Sequence, residues 1–141
     1  MRNTARCAAA LGLAATAAFG PLTGAATAAP ETSSLVLTAR YGDTSVTLPT
    51  DPAAGWFSEA TLTCSPSASG THPNATSACA ELRRVKGDLD ALQPAPGVMC
   101  PMHFDPVVVT VNGVWEGRNV SYERTFGNTC VKNTYGSVFA F

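Results

Sequence analysis

The order of apolar and polar positions predicts two strands in the first half of the chain. Ser34–Arg40 is dominated by β-favouring residues, and Phe57–Cys64 alternates apolar with polar residues, which is typical of a half-buried strand. The stretch between them carries Gly, Asp and Pro residues that indicate a loop. A short additional strand is possible within it at Ser45–Leu48.

The segment Ser77–Leu92 has the one convincing helical pattern. Its apolar residues recur at spacings of four and three, which places them on a single stripe of a helix. These residues are Ala78, Leu82, Val85, Leu89 and Leu92. Thr76 or Ser77 can cap the start of this helix, and Pro94 lies just beyond its end.

The second half of the chain predicts further strands and a short helix. Pro106–Gly113 is a strand that runs into Asn112-Gly113, a strong hairpin signal, and Val114–Phe126 returns as its partner. Cys130–Tyr135 can form a short helix, and Ser137–Phe141 closes the chain as a last strand. We therefore expect an α+β fold, a two-layer sandwich of a five-stranded antiparallel sheet with one main helix and one short helix.

The first 28 residues differ from the rest and predict a secretory signal peptide. A basic start precedes the apolar run Ala8–Phe19, and small residues follow up to Ala28. The run is shorter than the roughly 20 apolar residues that a membrane-spanning helix needs. We expect cleavage after Ala28, a single domain over residues 29–141, an extracellular protein and no membrane association after cleavage.

Charge limits the classes of partner. The 141 residues include 9 basic and 10 acidic ones, and charged residues make up only 13%. Removing Arg2 and Arg6 with the leader leaves seven basic against ten acidic residues. Because no surplus of Lys and Arg is available to neutralise phosphates, a nucleic-acid binder is not expected.

Cysteine and histidine usage argues against an enzyme. Four cysteines remain in the mature chain, and an even number in an exported protein predicts two disulfides. They are Cys64, Cys79, Cys100 and Cys130, and the sequence alone leaves all three connectivities open. The only histidines are His72 and His103, so an activated Ser or Cys beside a base is not expected. No cofactor is predicted.

The segment Gln93–Pro106 is the most distinctive part of the chain. It contains four prolines, which favour an extended, exposed backbone that does not join a sheet interior. Apolar side chains on an exposed loop usually indicate a partner. One interpretation is a rigid peptide offered to the cleft of a protease, in which Met102 fills the main specificity pocket, with Pro101 before it and His103 after it.

Two other interpretations of this segment stay open on the residues alone. It could be a structural loop whose methionines merely pack. It could also be a soft-metal site for Cu(I), with the ligands Met99, Cys100, Met102 and His103. The metal site requires a free thiol at Cys100.

Short motifs in a fixed order extend over nearly all of the mature chain, from about residue 33 to 141. They are TLTC at 61–64, SGTHP at 69–73, SACA at 77–80, GDLDAL at 87–92, VMCPM at 98–102, DPV at 105–107, GVWEG at 113–117, VSYER at 120–124 and SVFAF at 137–141. In these motifs the chain resembles the Streptomyces-type subtilisin inhibitor family of small secreted serine protease inhibitors.

The resemblance implies a fold, an assembly and a disulfide pairing. The fold it implies is a five-stranded antiparallel sheet with two helices, which forms a homodimer through the sheet. The bridges it implies are Cys64–Cys79 and Cys100–Cys130. The partner it implies is a subtilisin-like serine protease.

The resemblance also implies the site residues. The reactive bond is Met102–His103, because it lies two residues past the loop cysteine. The protease-contact loop also includes Met99, Cys100 and Pro101 before that bond and Phe104 and Asp105 after it. Asn128 is expected to brace the loop by hydrogen bonds, although by itself it reads equally well as a turn residue after Gly127.

Residues 102 and 103 are expected to affect which protease is bound and how strongly. Met102 suits the broad apolar pocket of subtilisin-like enzymes and argues against a trypsin preference. His103 departs from the small or branched apolar residue expected at its position. It could weaken binding or make it pH-dependent. The alternative function is therefore a secreted interaction module of the same fold without strong inhibitory activity.

Overall fold

Four antiparallel strands form the sheet in the part of the chain that the computed structural model describes, residues 31–42 and 57–141. The strands are β1 (Ser33–Tyr41), β2 (Phe57–Ser65), β3 (Val107–Trp115) and β4 (Arg118–Phe126). Their spatial order is β2-β1-β3-β4, so β1 and β3 are central. The predicted leader, residues 1–28, and the possible strand Ser45–Leu48 lie outside the described residues.

The core lies between one face of this sheet and a layer of short helices. Alternate residues of the two central strands face inward and are almost fully buried: Leu35, Leu37, Ala39, Val107, Val109 and Val111. Helix α1 (Ala75–Arg84) covers this face with Ala78, Cys79 and Leu82. The α+β class with an antiparallel sheet and two helices is therefore confirmed.

Helix α1 is shorter than the predicted Ser77–Leu92. It ends at Arg84 because Lys86 adopts a positive φ of 54°, and the amide of Gly87 donates to the carbonyl of Leu82 (2.9 Å). A Cβ atom at Gly87 would lie 2.4 Å from Cδ1 of Trp115, so the indole packs directly on this backbone. The apolar stripe continues across the break in a 3-10 turn, Leu89–Ala91.

The hairpin between β3 and β4 turns four residues later than predicted. Glu116 and Gly117 both have positive φ, 46° and 75°, as a type I′ turn requires. Gly113 instead lies inside β3 opposite Leu35, where a Cβ atom would come within 2.2 Å of the backbone oxygen of Ser34. The Asn112-Gly113 prediction is wrong because this glycine permits close contact with β1.

The prediction of a fifth strand at the end of the chain is also wrong. Helix α2 (Thr129–Thr134) is followed by a second 3-10 turn, Ser137–Phe139, and not by the strand Ser137–Phe141. Val138 and Phe139 are fully buried against the core, so the apolar pattern of the segment reflects burial without sheet pairing. The described residues therefore form a four-stranded sheet instead of the five-stranded one that was expected.

Two disulfides join elements that would otherwise be held together by non-covalent packing alone. Cys64–Cys79 connects the end of β2 to the first turns of α1, with Cα atoms 5.4 Å apart. Cys100–Cys130 connects the loop before β3 to α2, with Cα atoms 5.6 Å apart. In residues 31–42 and 57–141, no helix is long and apolar enough to cross a membrane.

Candidate functional site

The segment between the first 3-10 turn and β3 is extended and strongly exposed. Apart from a turn at Pro96-Gly97, residues 92–106 have no regular secondary structure. The exposed fraction is 99% for Met102, 94% for Met99 and 79% for Phe104. We call residues 98–105 the display loop, because its large apolar side chains point into solvent.

The display loop is attached to α2 by a covalent bond. Cys100 lies two residues before Met102, and its sulfur is bonded to Cys130 in the first turn of α2. Because that sulfur is bonded, Cys100 does not offer the free thiol that the soft-metal interpretation required. Within the described ranges, no group of three His, Cys, Asp or Glu side chains could hold a metal ion.

Asn128 makes the central contacts beneath the loop. Its side chain is buried, with 4% exposed, and its amide nitrogen donates to the backbone oxygens of Pro101 and His103, both at 3.0 Å. These two carbonyl groups flank Met102. The amide oxygen of Asn128 accepts from the backbone N–H of Val131 at 3.0 Å and so caps α2.

Backbone hydrogen bonds fix the segments on either side of the display loop. The amide of Asp105 donates to the carbonyl of Gly127 (2.9 Å), and Pro106 accepts from the amide of Gly42 at the end of β1 (2.9 Å). On the other side, the amide of Ala95 donates to the carbonyl of Thr134 at the end of α2 (2.7 Å). The loop is therefore held at both ends and at its centre, while its large apolar side chains stay exposed.

The two histidines have different environments. His103 is exposed beside Met102. His72 is buried, and both its ring nitrogens bond to backbone: Nδ1 accepts from the amide of Asn74 (3.0 Å) and Nε2 donates to the carbonyl of Val138 (3.1 Å). Burial lowers the pKa of His72. Its imidazole is thus a neutral structural group that is not available as a base.

Sequence reasoning missed one buried polar residue in α2, the helix to which Cys130 joins the loop. Lys132 in α2 is buried, with 1% exposed, and its ammonium donates to the backbone oxygens of Phe139 (2.7 Å) and Phe141 (3.1 Å). Burial lowers its pKa to about 8. A weak signal was present, because Lys132 is a lone cation in a segment that continues into the apolar residues 138–141.

The predicted site residues thus lie together in one structural unit. Met99, Cys100, Pro101, Phe104 and Asp105 surround the Met102–His103 peptide bond along the display loop, and Asn128 lies directly beneath it. The display loop is the exposed part of this unit. It presents a fixed, extended backbone with protruding apolar side chains, which is a geometry suited to entering the cleft of another protein.

Comparisons with known proteins agree with this geometry. The model of the subtilisin inhibitor-like family matches residues 31–128. The chain is 56% identical to "Trypsin inhibitor STI2" of Streptomyces longisporus and 54% identical to "Subtilase-type protease inhibitor" of Streptomyces coelicolor, with all of each chain covered. It is 52% identical to "Subtilisin inhibitor" of Streptomyces albogriseolus over 86% of both chains.

A solved structure supports the same assignment. Streptomyces caespitosus sermetstatin, crystallised in complex with Bacillus licheniformis subtilisin, matches with a TM-score of 0.62 and 38% sequence identity. The match covers 78% of this chain and 99% of sermetstatin. The resemblance found in the motifs is confirmed, and the expectation of an inhibitor rather than an enzyme has the support of the family. The chain belongs to the subtilisin inhibitor-like family.

Proposed function

We propose that this protein is a secreted inhibitor of subtilisin-like serine proteases that binds like a substrate through the display loop. The reactive bond is Met102–His103. Met99, Cys100 and Pro101 contact the protease on one side of that bond, and Phe104 and Asp105 contact it on the other. The observation that carries the proposal is the pair of hydrogen bonds from Asn128 to the carbonyls flanking a fully exposed Met102.

Binding follows from the extended backbone. A peptide segment that enters a protease cleft adds a strand, so main-chain hydrogen bonds give affinity and side chains in pockets give specificity. The disulfide, the prolines and Asn128 have already ordered the loop before binding. Little conformational entropy is therefore left to lose on association, which is the main advantage of preorganisation.

Resistance to cleavage follows from the same contacts. If the protease cuts after Met102, the new carboxyl end remains attached through Cys100 and through the hydrogen bond to the oxygen of Pro101. The new amino end remains attached through the oxygen of His103 and the amide of Asp105. Because both ends stay in place, religation competes with release, since a tethered amine reacts at high effective concentration.

Specificity rests on Met102. A flexible, unbranched apolar side chain fits a broad apolar pocket, whereas a pocket with a carboxylate at its base favours Lys or Arg. A relative carries the name of a trypsin inhibitor, but Met102 supports a subtilisin-like target for this chain. Met99 and Phe104 are exposed enough to enter neighbouring pockets of the same cleft.

Export and domain organisation form part of the proposal. Residues 1–28 are a signal peptide that is removed, and residues 29–141 are a single inhibitor domain that acts outside the cell. The support is the basic, apolar and small-residue pattern of the leader together with two disulfides, which persist in oxidising compartments.

The assembly in the proposal is a homodimer through the outer face of the sheet. That face carries Val36, which is 41% exposed on the central strand β1, and the paired hydroxyls of Thr38 and Thr110. An apolar residue in the middle of a mainly polar sheet face is consistent with a covered surface. None of these three residues belongs to the display loop.

The test is a titration of purified residues 29–141 into subtilisin, with cleavage of a small chromogenic substrate as the readout. We expect a near-stoichiometric end point that Met102→Gly abolishes. The matched control is Met99→Gly, which removes an equally exposed methionine from the same loop and is expected to weaken inhibition less. Full residual protease activity, or inhibition that is indifferent to residue 102, would favour an interaction module without inhibitory activity.

A further inference from the structure

Side chains from α1, from the loop that precedes it and from α2 hold residues 137–141. The carboxylate of Glu81 in α1 accepts hydrogen bonds from the backbone N–H groups of Ser137 (3.0 Å) and Val138 (3.1 Å). His72 donates to the carbonyl of Val138. From α2, the ammonium of Lys132 donates to the oxygens of Phe139 and Phe141. We call residues 137–141 the terminal segment.

Lys132 links this terminal segment to the support of the display loop. Its backbone amide donates to the carbonyl of Asn128 (3.0 Å), so the two residues are joined by the first turn of α2. Cys130, which bonds to the loop, lies between them. A six-residue helix has little stability by itself, so the position of α2 depends on contacts that its side chains make.

We infer that Lys132 is a positioning residue for the inhibitory loop. By fixing α2 to the terminal segment, it holds the amide of Asn128 and the sulfur of Cys130 where they keep the carbonyls beside Met102 in place. This inference rests on the proposed function, because the property it explains is the resistance of the Met102–His103 bond to cleavage.

Lys132 places charged hydrogen-bond donors at a buried position. Burial of the ammonium costs solvation, which is seen in the lowered pKa of Lys132. Removing the ammonium would leave the oxygens of Phe139 and Phe141 without its hydrogen bonds, so Lys132→Met is expected to lower stability as well. What Lys132 supplies, and Met would not, is a cluster of donors that fixes two backbone oxygens relative to α2.

The rings around the ammonium support the same role. It lies 5.0 Å from the ring centroid of Phe141 and 5.8 Å from that of Tyr41, the last residue of β1. The next residue, Gly42, donates to the carbonyl of Pro106 where the loop enters β3. Lys132 therefore contacts both the terminal segment and the strand end that borders the loop.

The experiment compares Lys132→Met with the unmodified protein during incubation with a catalytic amount of subtilisin. Mass spectrometry follows cleavage of the Met102–His103 bond, and the titration above gives the initial inhibition. We expect inhibition to be retained while the cleavage rate rises roughly two- to thirty-fold, the range typical of residues that act through a contact network. The matched control is Leu62→Val, a buried change in β2, which should lower stability without faster cleavage.

A double substitution tests whether Lys132 acts through Asn128. In an Asn128→Ala background, Lys132→Met should add little to the cleavage rate, because the contact that it positions is already gone. The inference is overturned if Lys132→Met accelerates cleavage by the same factor in both backgrounds. It is also overturned if Lys132→Met is cleaved at the rate of the unmodified protein, or if Leu62→Val accelerates cleavage equally.

A second measurement keeps the inference separate from the proposed function. Hydrogen exchange of the Val131 amide, which is bonded to Asn128, should accelerate in Lys132→Met even if the protein inhibits no protease. Unchanged exchange would refute the positioning role. If Lys132→Met does not fold, Lys132→Gln, which keeps one donor group, is measured in the same way, and an unaltered Val131 amide there again contradicts it.

Discussion

Replacing Asn128 by Ala removes the central support of the display loop. The substitution deletes two hydrogen bonds to the oxygens of Pro101 and His103 and one from the amide of Val131. At about 0.5–1.5 kcal/mol net per hydrogen bond, the two loop contacts contribute roughly 1–3 kcal/mol. Loss of the helix cap removes about 1 kcal/mol more. We therefore expect the free energy of unfolding to fall by about 2–4 kcal/mol.

The loop contacts and the cap can be separated by a second substitution. Asn128→Ser keeps an oxygen that can cap α2 but has no amide to reach both loop carbonyls, so it should be about 1 kcal/mol more stable than Asn128→Ala. Both variants should be cleaved at Met102–His103 roughly 5- to 150-fold faster than the unmodified protein, which is the loop contribution expressed as a rate.

The assay combines urea unfolding with mass spectrometry of the inhibitor during incubation with catalytic subtilisin. The cleavage rates must be compared where each variant is fully folded. If both variants are cleaved at the unmodified rate, Asn128 does not protect the loop. If cleavage follows stability, so that Ser restores resistance in proportion to the cap, the contacts to Pro101 and His103 have no separate effect.

Three further predictions concern specificity, the disulfides and pH. Met102→Lys should exchange subtilisin inhibition for trypsin inhibition, because Lys pairs with the carboxylate in the trypsin pocket; unchanged inhibition constants for both enzymes would contradict the placement of Met102. Replacing Cys100 and Cys130 by Ser should lower the unfolding free energy by about 3–4 kcal/mol and accelerate loop cleavage. The same change in the other bridge should lower stability alone, and equal cleavage of the two variants would refute a special role for the loop bridge. Since burial lowers the pKa of His72, the unfolded chain binds the proton more tightly, and stability should decrease as the pH falls below about 6.5. The stability of His72→Gln, measured by thermal unfolding, should decline less over this pH range. An identical decline would show that His72 does not cause the pH dependence.

The sequence predicts the elements of the fold better than the turns between them. The strands β1 and β2 and the apolar stripe of α1 follow from periodicity, because burial on one face imposes it. The end of α1 does not, since Leu89 and Leu92 continue the spacing across a backbone that Lys86 has already turned. Local spacing cannot show that Trp115, distant in the chain, occupies the space beside Gly87.

Errors in the second half have a similar cause. Asn112-Gly113 has the composition of a hairpin turn, but the pairing of β3 with β1 extends past it and needs Gly113 for close approach to Ser34. The terminal segment has a strand-like composition, but Glu81 and Lys132 bind backbone groups that sheet pairing would otherwise use. Long-range contacts decide both cases.

The site was predictable in its exposed part and less so beneath the surface. Prolines and apolar residues indicate an extended, exposed display loop, as the structure shows for Met99 and Met102. The contacts of Asn128 with the loop were expected from the family resemblance alone, because a single Asn after Gly127 also fits a plain turn. Lys132 gave only a weak signal, since nothing local tells a buried lysine from a solvated one.

The most direct test of the account is to identify the bond that subtilisin cuts. Residues 29–141 are incubated with a catalytic amount of the protease until the intact and cleaved forms stop changing, and the products are mapped by mass spectrometry with the disulfides intact and reduced. The account predicts a single slow cut between Met102 and His103, with the fragments held together by Cys100–Cys130 and intact protein still present at the end point. Rapid degradation, or a first cut at any other bond, would contradict it.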